Sequence, residues 1–195
     1  MNKVTPIKST GKLDMMRIDL QDSLRKSRID PKNLSSFQRI LITTDGTVTD
    51  ILEAQLWEGI QIVKLYQEQI TTETLIPYLD VGVNTDILAR KVLLQGKDSG
   101  KNYVYAESII VPERLGEKIC AGLREAKKPL GLLINEERLE TYREILSCDL
   151  EKAEELAGYF DVTPNSNLIS RTYRVFAHQQ PVMLITEKFP ETAFK

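Results

Sequence analysis

The stretch Ser170–Pro190, SRTYRVFAHQQPVMLITEKFP, most constrains what this chain can become. It reads as two β-runs, Thr172–Ala177 and Val182–Phe189, joined by a polar turn around Gln179-Gln180-Pro181. Runs joined this closely pair antiparallel, so hairpins form the base of the fold. Side chains alternate across a strand, which puts Met183, Ile185, Glu187 and Phe189 on one face. A carboxylate in a row of Met, Ile and Phe is costly to bury ionised and alone. It is therefore either paired or kept partly protonated in a pocket. The other reading puts Glu187 at the exposed end of the strand, beside Lys188 and just before Pro190.

A second stretch, ILARKVLL (Ile87–Leu94), is apolar on both faces. Leu88, Arg90, Val92 and Leu94 share one face, and Ile87, Ala89, Lys91 and Leu93 the other. Such a strand belongs to the middle of a covered sheet, which makes Arg90 conspicuous. A guanidinium cannot shed its charge and requires an anion there, either a structural carboxylate or that of a ligand.

Around these two stretches the pattern predicts further strands at Gly59–Gln69, Tyr103–Val111 and Leu139–Ser147, with a hairpin turn over Gly96–Asn102. A helix starts at Pro31, capped by Asp30, and carries Phe37, Ile40 and Leu41 as its apolar stripe. Another starts at Thr47, where Asp50 stands at capping-box spacing, with Ile51, Leu52 and Leu56 inward. Further helices are expected from Pro112 to about Ala126, at Leu130–Ile134, and over Leu150–Phe160. Thr71–Asp86, with Pro77, Gly82 and Asn84, reads as irregular. The pattern amounts to an α+β fold, a largely antiparallel sheet of about six strands covered by helices on one face. A doubly wound parallel sheet would need regular strand–helix alternation and a glycine-rich first turn, and has neither. One domain spans 29–195. It follows an arm, 1–28, whose first twelve residues read as frayed and whose segment Leu13–Ile29 reads as weakly helical or extended.

Composition narrows function mostly by exclusion. A net charge of -2 leaves no footprint for nucleic acid or an anionic membrane. No apolar run has signal-peptide or membrane-spanning length, so a cytoplasmic chain without membrane insertion is expected. Cys120 and Cys148 are too few for a disulfide framework and lack metal-ligand spacing, which suits reduced, half-buried thiols. The single histidine, His178, lies in a turn, which removes most His-based triads and His-rich metal sites. Asp45-Gly46 offers one glycine and no following lysine, so it is not a phosphate loop. Glu187 and Arg90 remain. An arginine that grips a carboxylate and a glutamate that moves a proton suit elimination or isomerisation of a small organic acid.

These pieces, in this order, resemble the chorismate pyruvate-lyase family, whose members cleave chorismate to 4-hydroxybenzoate and pyruvate at the head of quinone biosynthesis of the ubiquinone or plastoquinone type. The likeness runs from about Ile42 to the C-terminus. It is carried by DGTVTDILEA (Asp45–Ala54), ARKVLL (Ala89–Leu94), AESIIVPERL (Ala106–Leu115), KPLGLLI (Lys128–Ile134), SRTYRV and MLITEKFP (Met183–Pro190). The resemblance implies a six-stranded antiparallel sheet with the ligand enclosed beneath helix–turn–helix lids. It assigns the ligand-gripping arginine to Arg90, and to Glu187 the role of general acid toward the departing enolpyruvyl ether. It puts ligand-holding backbone amides near Val48 and Leu115, and it implies neither metal nor organic cofactor. One departure stands out. The better-known bacterial branch has a second arginine after a glycine where this chain has Ala106-Glu107. The same fold also resembles effector-binding domains of bacterial transcription regulators, which makes a non-catalytic binder of aromatic carboxylates the alternative. The roughly forty residues ahead of the matched region are too few, and not basic enough, for the winged-helix domain of such regulators.

Overall fold

Antiparallel pairing organises the chain from residue 60 onward. The computed structural model describes residues 18–26, 29–125 and 128–195. Its strands are β1 (Ile60–Thr71), β2 (Asp86–Gly96), β3 (Asn102–Ile110), β4 (Tyr142–Lys152), β5 (Asn167–Ala177) and β6 (Gln180–Pro190). They form one six-stranded sheet in the order β1-β2-β3-β6-β5-β4, every neighbouring pair antiparallel. The C-terminal strand therefore lies at the centre and zips two three-strand halves together. The β5–β6 turn is His178-Gln179, both at positive φ (50° and 65°), the geometry whose twist matches paired strands.

The helices are α1 (Ile18–Lys26), α2 (Ser36–Thr43), α3 (Val48–Leu56), α4 (Glu117–Glu125), α5 (Leu130–Glu136) and α6 (Ala157–Phe160). Leu41 and Ile42 of α2, Leu52 of α3, Ile119 and Leu123 of α4 and Leu133 of α5 cover one face of the sheet. There they meet Leu94, Val104, Ile110, Met183, Ile185 and Phe189. A Leu buried as fully as Leu52 contributes about 1.5–3 kcal/mol, so α3 is held to the sheet by its own stripe. The opposite face carries a smaller cluster, in which Leu93, Tyr105 and Leu168 meet Ala157 and Phe160. The arm contributes α1, which runs against β4 and adds Leu20 and Leu24 to the main core. The twelve residues expected to fray lie outside the described residues. Among the described residues, no helix is long and apolar enough to cross a membrane.

Several expected elements differ from the observed ones. The helix expected over Leu150–Phe160 begins as strand, because Leu150 and Lys152 pair with Ile169 and Asn167 of β5. Only a 3-10 turn at Glu154–Leu156 and the single turn of α6 follow it. The helix opening at Pro31 is a separate 3-10 turn, Pro31–Asn33, capped by Asp30. α2 then starts afresh with a capping box between Ser35 and Gln38. Likewise Pro112–Arg114 is a 3-10 turn, and the chain straightens at Leu115 before α4 begins. Thr47 is the N-cap of α3 but makes no side-chain cap bond. Its side chain instead lies against the start of α5, where a Cβ at Gly131 would fall 2.3 Å from Thr47 Cγ2.

Candidate active site

Between the helix-covered face of the sheet and two helix starts lies a cavity of about 80 Å3. Thr47–Thr49 at the start of α3 and Pro129–Gly131 at the start of α5 roof it; strands from β1 to β6 floor it. These two helix starts cover the cavity as lids. Val92, Leu94, Met183 and Ile185 make the floor apolar, while Arg90, Arg143, Ser108 and Tyr173 give it polarity. Among the described residues, no Asp or Glu lines it. Ligand sites commonly enclose roughly 300–1,000 Å3, so this cavity is small for one.

Arg90 projects from β2 as the alternation of ILARKVLL predicted, and is 4% exposed. Its Nε and Nη2 are buried with no hydrogen-bond partner. Burial alone pushes the guanidinium below its ordinary pKa, with no anion offsetting it. Of the two anions the sequence left open, no structural carboxylate meets Arg90 among the described residues. Above, Val48 opens α3, whose first-turn amides have no acceptor within the helix and receive none from Thr47. A guanidinium without an acceptor and a helix N-terminus thus border one cavity, both of them donors suited to an anion.

Glu187 is paired, not isolated. Arg171 Nη2 donates to its Oε2 at 2.8 Å, and the Tyr173 hydroxyl donates to its Oε1 at 3.1 Å. Arg171, 1% exposed, also donates from Nη1 to the Thr44 carbonyl at 2.8 Å and stacks over the Tyr173 ring at 4.7 Å. Burial works against the Arg171 charge, but Glu187 and Tyr173 outweigh it and hold the guanidinium above its ordinary value. The Tyr173 phenol is pushed up, first by burial and then by Glu187. Glu187 itself does not line the cavity. Its cross-strand neighbour Ala106 does, and so does its hydrogen-bond donor Tyr173. Leu115 is also outside the lining, and its N–H donates to the Pro112 carbonyl at 2.9 Å. The second roofing backbone comes instead from Leu130 and Gly131 in KPLGLLI. Glu107, where the bacterial branch has arginine, pairs with Lys91 at 3.5 Å on the face away from the cavity.

The sequence reading missed Arg171, Tyr173 and Arg143. The first two belong to a legible alternation, Ile169, Arg171, Tyr173, Val175, that starts before the strand was taken to begin. Arg143 lies in β4, and its Nη1 donates to the Asp45 carbonyl ahead of α3. Among the described residues no three His, Cys, Asp or Glu side chains are grouped to hold a metal ion.

Comparison with known proteins agrees with this architecture. Residues 42–195 match the family described as chorismate pyruvate-lyase, Rv2949c-like. A chorismate pyruvate-lyase of Mycobacterium leprae is 33% identical over 172 residues, 87% of this chain and 81% of that protein. Its Mycobacterium tuberculosis counterpart is 30% identical over 174 residues, 84% of each chain. By that name these relatives are carbon–oxygen lyases. Solved structures share the fold at far lower identity. The effector domain of PhnF from Mycobacterium smegmatis superposes with a TM-score of 0.59 at 15% identity, covering 74% of this chain and 88% of that one. The C-terminal domain of the histidine utilization repressor from Pseudomonas syringae gives 0.53 at 11%, covering 70% and 94%. The matched residues run from the end of α2 to the C-terminus and take in both lids and all six strands, and on that evidence the chain belongs to the Rv2949c-like chorismate pyruvate-lyase family.

Proposed function

We propose that this protein cleaves chorismate to 4-hydroxybenzoate and pyruvate, with Arg90 gripping the ring carboxylate. The observation that carries the proposal is a buried guanidinium without an acceptor, in a cavity lined by no carboxylate among the described residues. The first-turn amides of α3 at Val48 and Thr49 supply further donors to the same carboxylate. In the reaction the ring loses the C4 proton and the C3–O bond breaks, which makes the ring aromatic. The released enolpyruvate gains a proton on its methylene carbon and becomes pyruvate, so the atoms balance without oxidant or reductant. The protein's contribution is to hold the ring and the enolpyruvyl arm in the geometry where both bonds break, and to keep water out. An apolar floor and two lids suit that task.

Protonating Glu187 would break its charge pairing with Arg171. The pair therefore favours a different role from general acid: Glu187 accepts a hydrogen bond, orients the Tyr173 hydroxyl, and through it orients the ring. Cys120 and Cys148, buried thiols in no disulfide, suit a reducing cytoplasm, where the product would feed quinone biosynthesis.

Incubating the purified protein with chorismate, with chromatography of the mixture, tests the proposal. Equal amounts of 4-hydroxybenzoate and pyruvate are expected. Chorismate that is bound but unchanged would overturn it in favour of a non-catalytic binder, like the regulator domains that share the fold.

A further inference from the structure

We infer that Arg143 is the second carboxylate anchor, holding the enolpyruvyl arm of the substrate while Arg90 holds the ring; the inference rests on the lyase reading above. Chorismate carries two carboxylates, and among the described residues the cavity is lined by two guanidiniums, Arg90 and Arg143, and by no acid. A pocket of that composition matches a dianion better than the monoanionic ring product. The position that carries the second arginine in the bacterial branch cannot supply it here, because Glu107 faces the other side of the sheet and pairs with Lys91.

Placement supports the assignment. Arg90 is on β2 and Arg143 on β4, four strand spacings apart, about 19 Å along the sheet. The register sets Arg143 in the row Leu88, Ile110, Met183, Val175, one step along the strands from the row of Arg90, Ser108, Ile185 and Tyr173. Both side chains line the one cavity that lies over these strands. Arg143 is also tied to the lid, since it donates to the Asp45 carbonyl while Arg171 donates to the neighbouring Thr44 carbonyl. The loop ahead of α3 thus rests on two guanidiniums of the sheet. An arm held by Arg143 would sit directly under it.

The two anchors separate cleanly because the product keeps only one carboxylate. Arg143→Gln should raise the KM for chorismate about 10–100-fold, the worth of a hydrogen bond to a charged group. It should weaken binding of 3-(carboxymethoxy)benzoate, a stable aromatic dicarboxylate, by a similar factor. Binding of 4-hydroxybenzoate, measured by calorimetry on the same preparation, should change less than two-fold, which also certifies that the variant is folded. Arg143→Lys, which keeps the charge but loses the fork, should fall between parent and Arg143→Gln for the dicarboxylate alone. Equal weakening of 4-hydroxybenzoate and the dicarboxylate, or no change in either, would overturn the assignment. If the parent released no pyruvate, the lyase reading would fail, while the dicarboxylate comparison would still decide whether Arg143 is an anion anchor.

Discussion

Two arginines stand buried on the same face of one sheet in opposite circumstances. Arg171 is 1% exposed and has Glu187, the Thr44 carbonyl and the Tyr173 ring around its guanidinium. Arg90 is 4% exposed, and two of its nitrogens are buried with no acceptor. The pKa shifts follow: Arg171 is held above its ordinary value although burial opposes it, and Arg90 is pushed below by burial alone. Burial by itself does not mark a functional arginine. The missing anion is what supports the role proposed for Arg90.

The contrast breaks most visibly at the paired site. Arg171→Met leaves Glu187 buried without its countercharge, and Glu187→Gln does the same to Arg171. Each should lower stability by about 3–5 kcal/mol in urea denaturation. The double variant Arg171→Met/Glu187→Leu should recover most of the loss, since two apolar side chains replace a buried pair at little cost. Single-variant losses under about 1 kcal/mol, the worth of an exposed ion pair, would mean that the pair does not hold the fold.

How much of this was legible beforehand depended on range. Alternation within one strand exposed Arg90 and Glu187, because the faces of a strand follow from counting by two. The pairing of Glu187 with Arg171 depends on a bulge in the β5–β6 hairpin. Phe176 faces Pro181 but Val175 faces Met183, so Val182 is an extra residue. Without it Arg171 would oppose Thr186, and no local pattern reports such a bulge. The end of β4 was hidden for a related reason. Leu150-Glu151-Lys152 and the residues after it have helical spacing, and only the eleven residues of β5 on offer as a partner extend the strand. That Leu130 and Gly131 line the cavity and Leu115 does not was also out of reach, because motif order along the chain does not say which segment touches a cavity.

At the unpaired site the expected effects are on the ligand. Arg90→Lys keeps the charge but loses the planar fork, so affinity for 4-hydroxybenzoate should fall by roughly 1–3 kcal/mol in calorimetry. An unchanged affinity would put the anchor elsewhere.

A smaller effect sharpens the paired side. Tyr173→Phe removes one donor to Glu187 and should reduce stability by about 1 kcal/mol near neutral pH. Folding raises the Tyr173 phenol above its ordinary value near 10, so its contribution is fully present below pH 10. As pH rises past that point the unfolded chain ionises first and the contribution is lost. Denaturation between pH 8 and about 11 should therefore show a shallower decline for Tyr173→Phe than for the parent. Parallel declines would mean that the phenol is not held neutral by the fold.

The central claim, that Arg90 is buried for a ligand and not for the fold, is tested by thermal unfolding of Arg90→Met with and without 4-hydroxybenzoate. Without ligand the variant should melt at or above the parent's temperature, since an uncompensated buried charge has been removed. With saturating ligand the parent should shift upward and the variant should not. A variant that melts several degrees lower without ligand, yet still gains from 4-hydroxybenzoate as the parent does, would contradict the account.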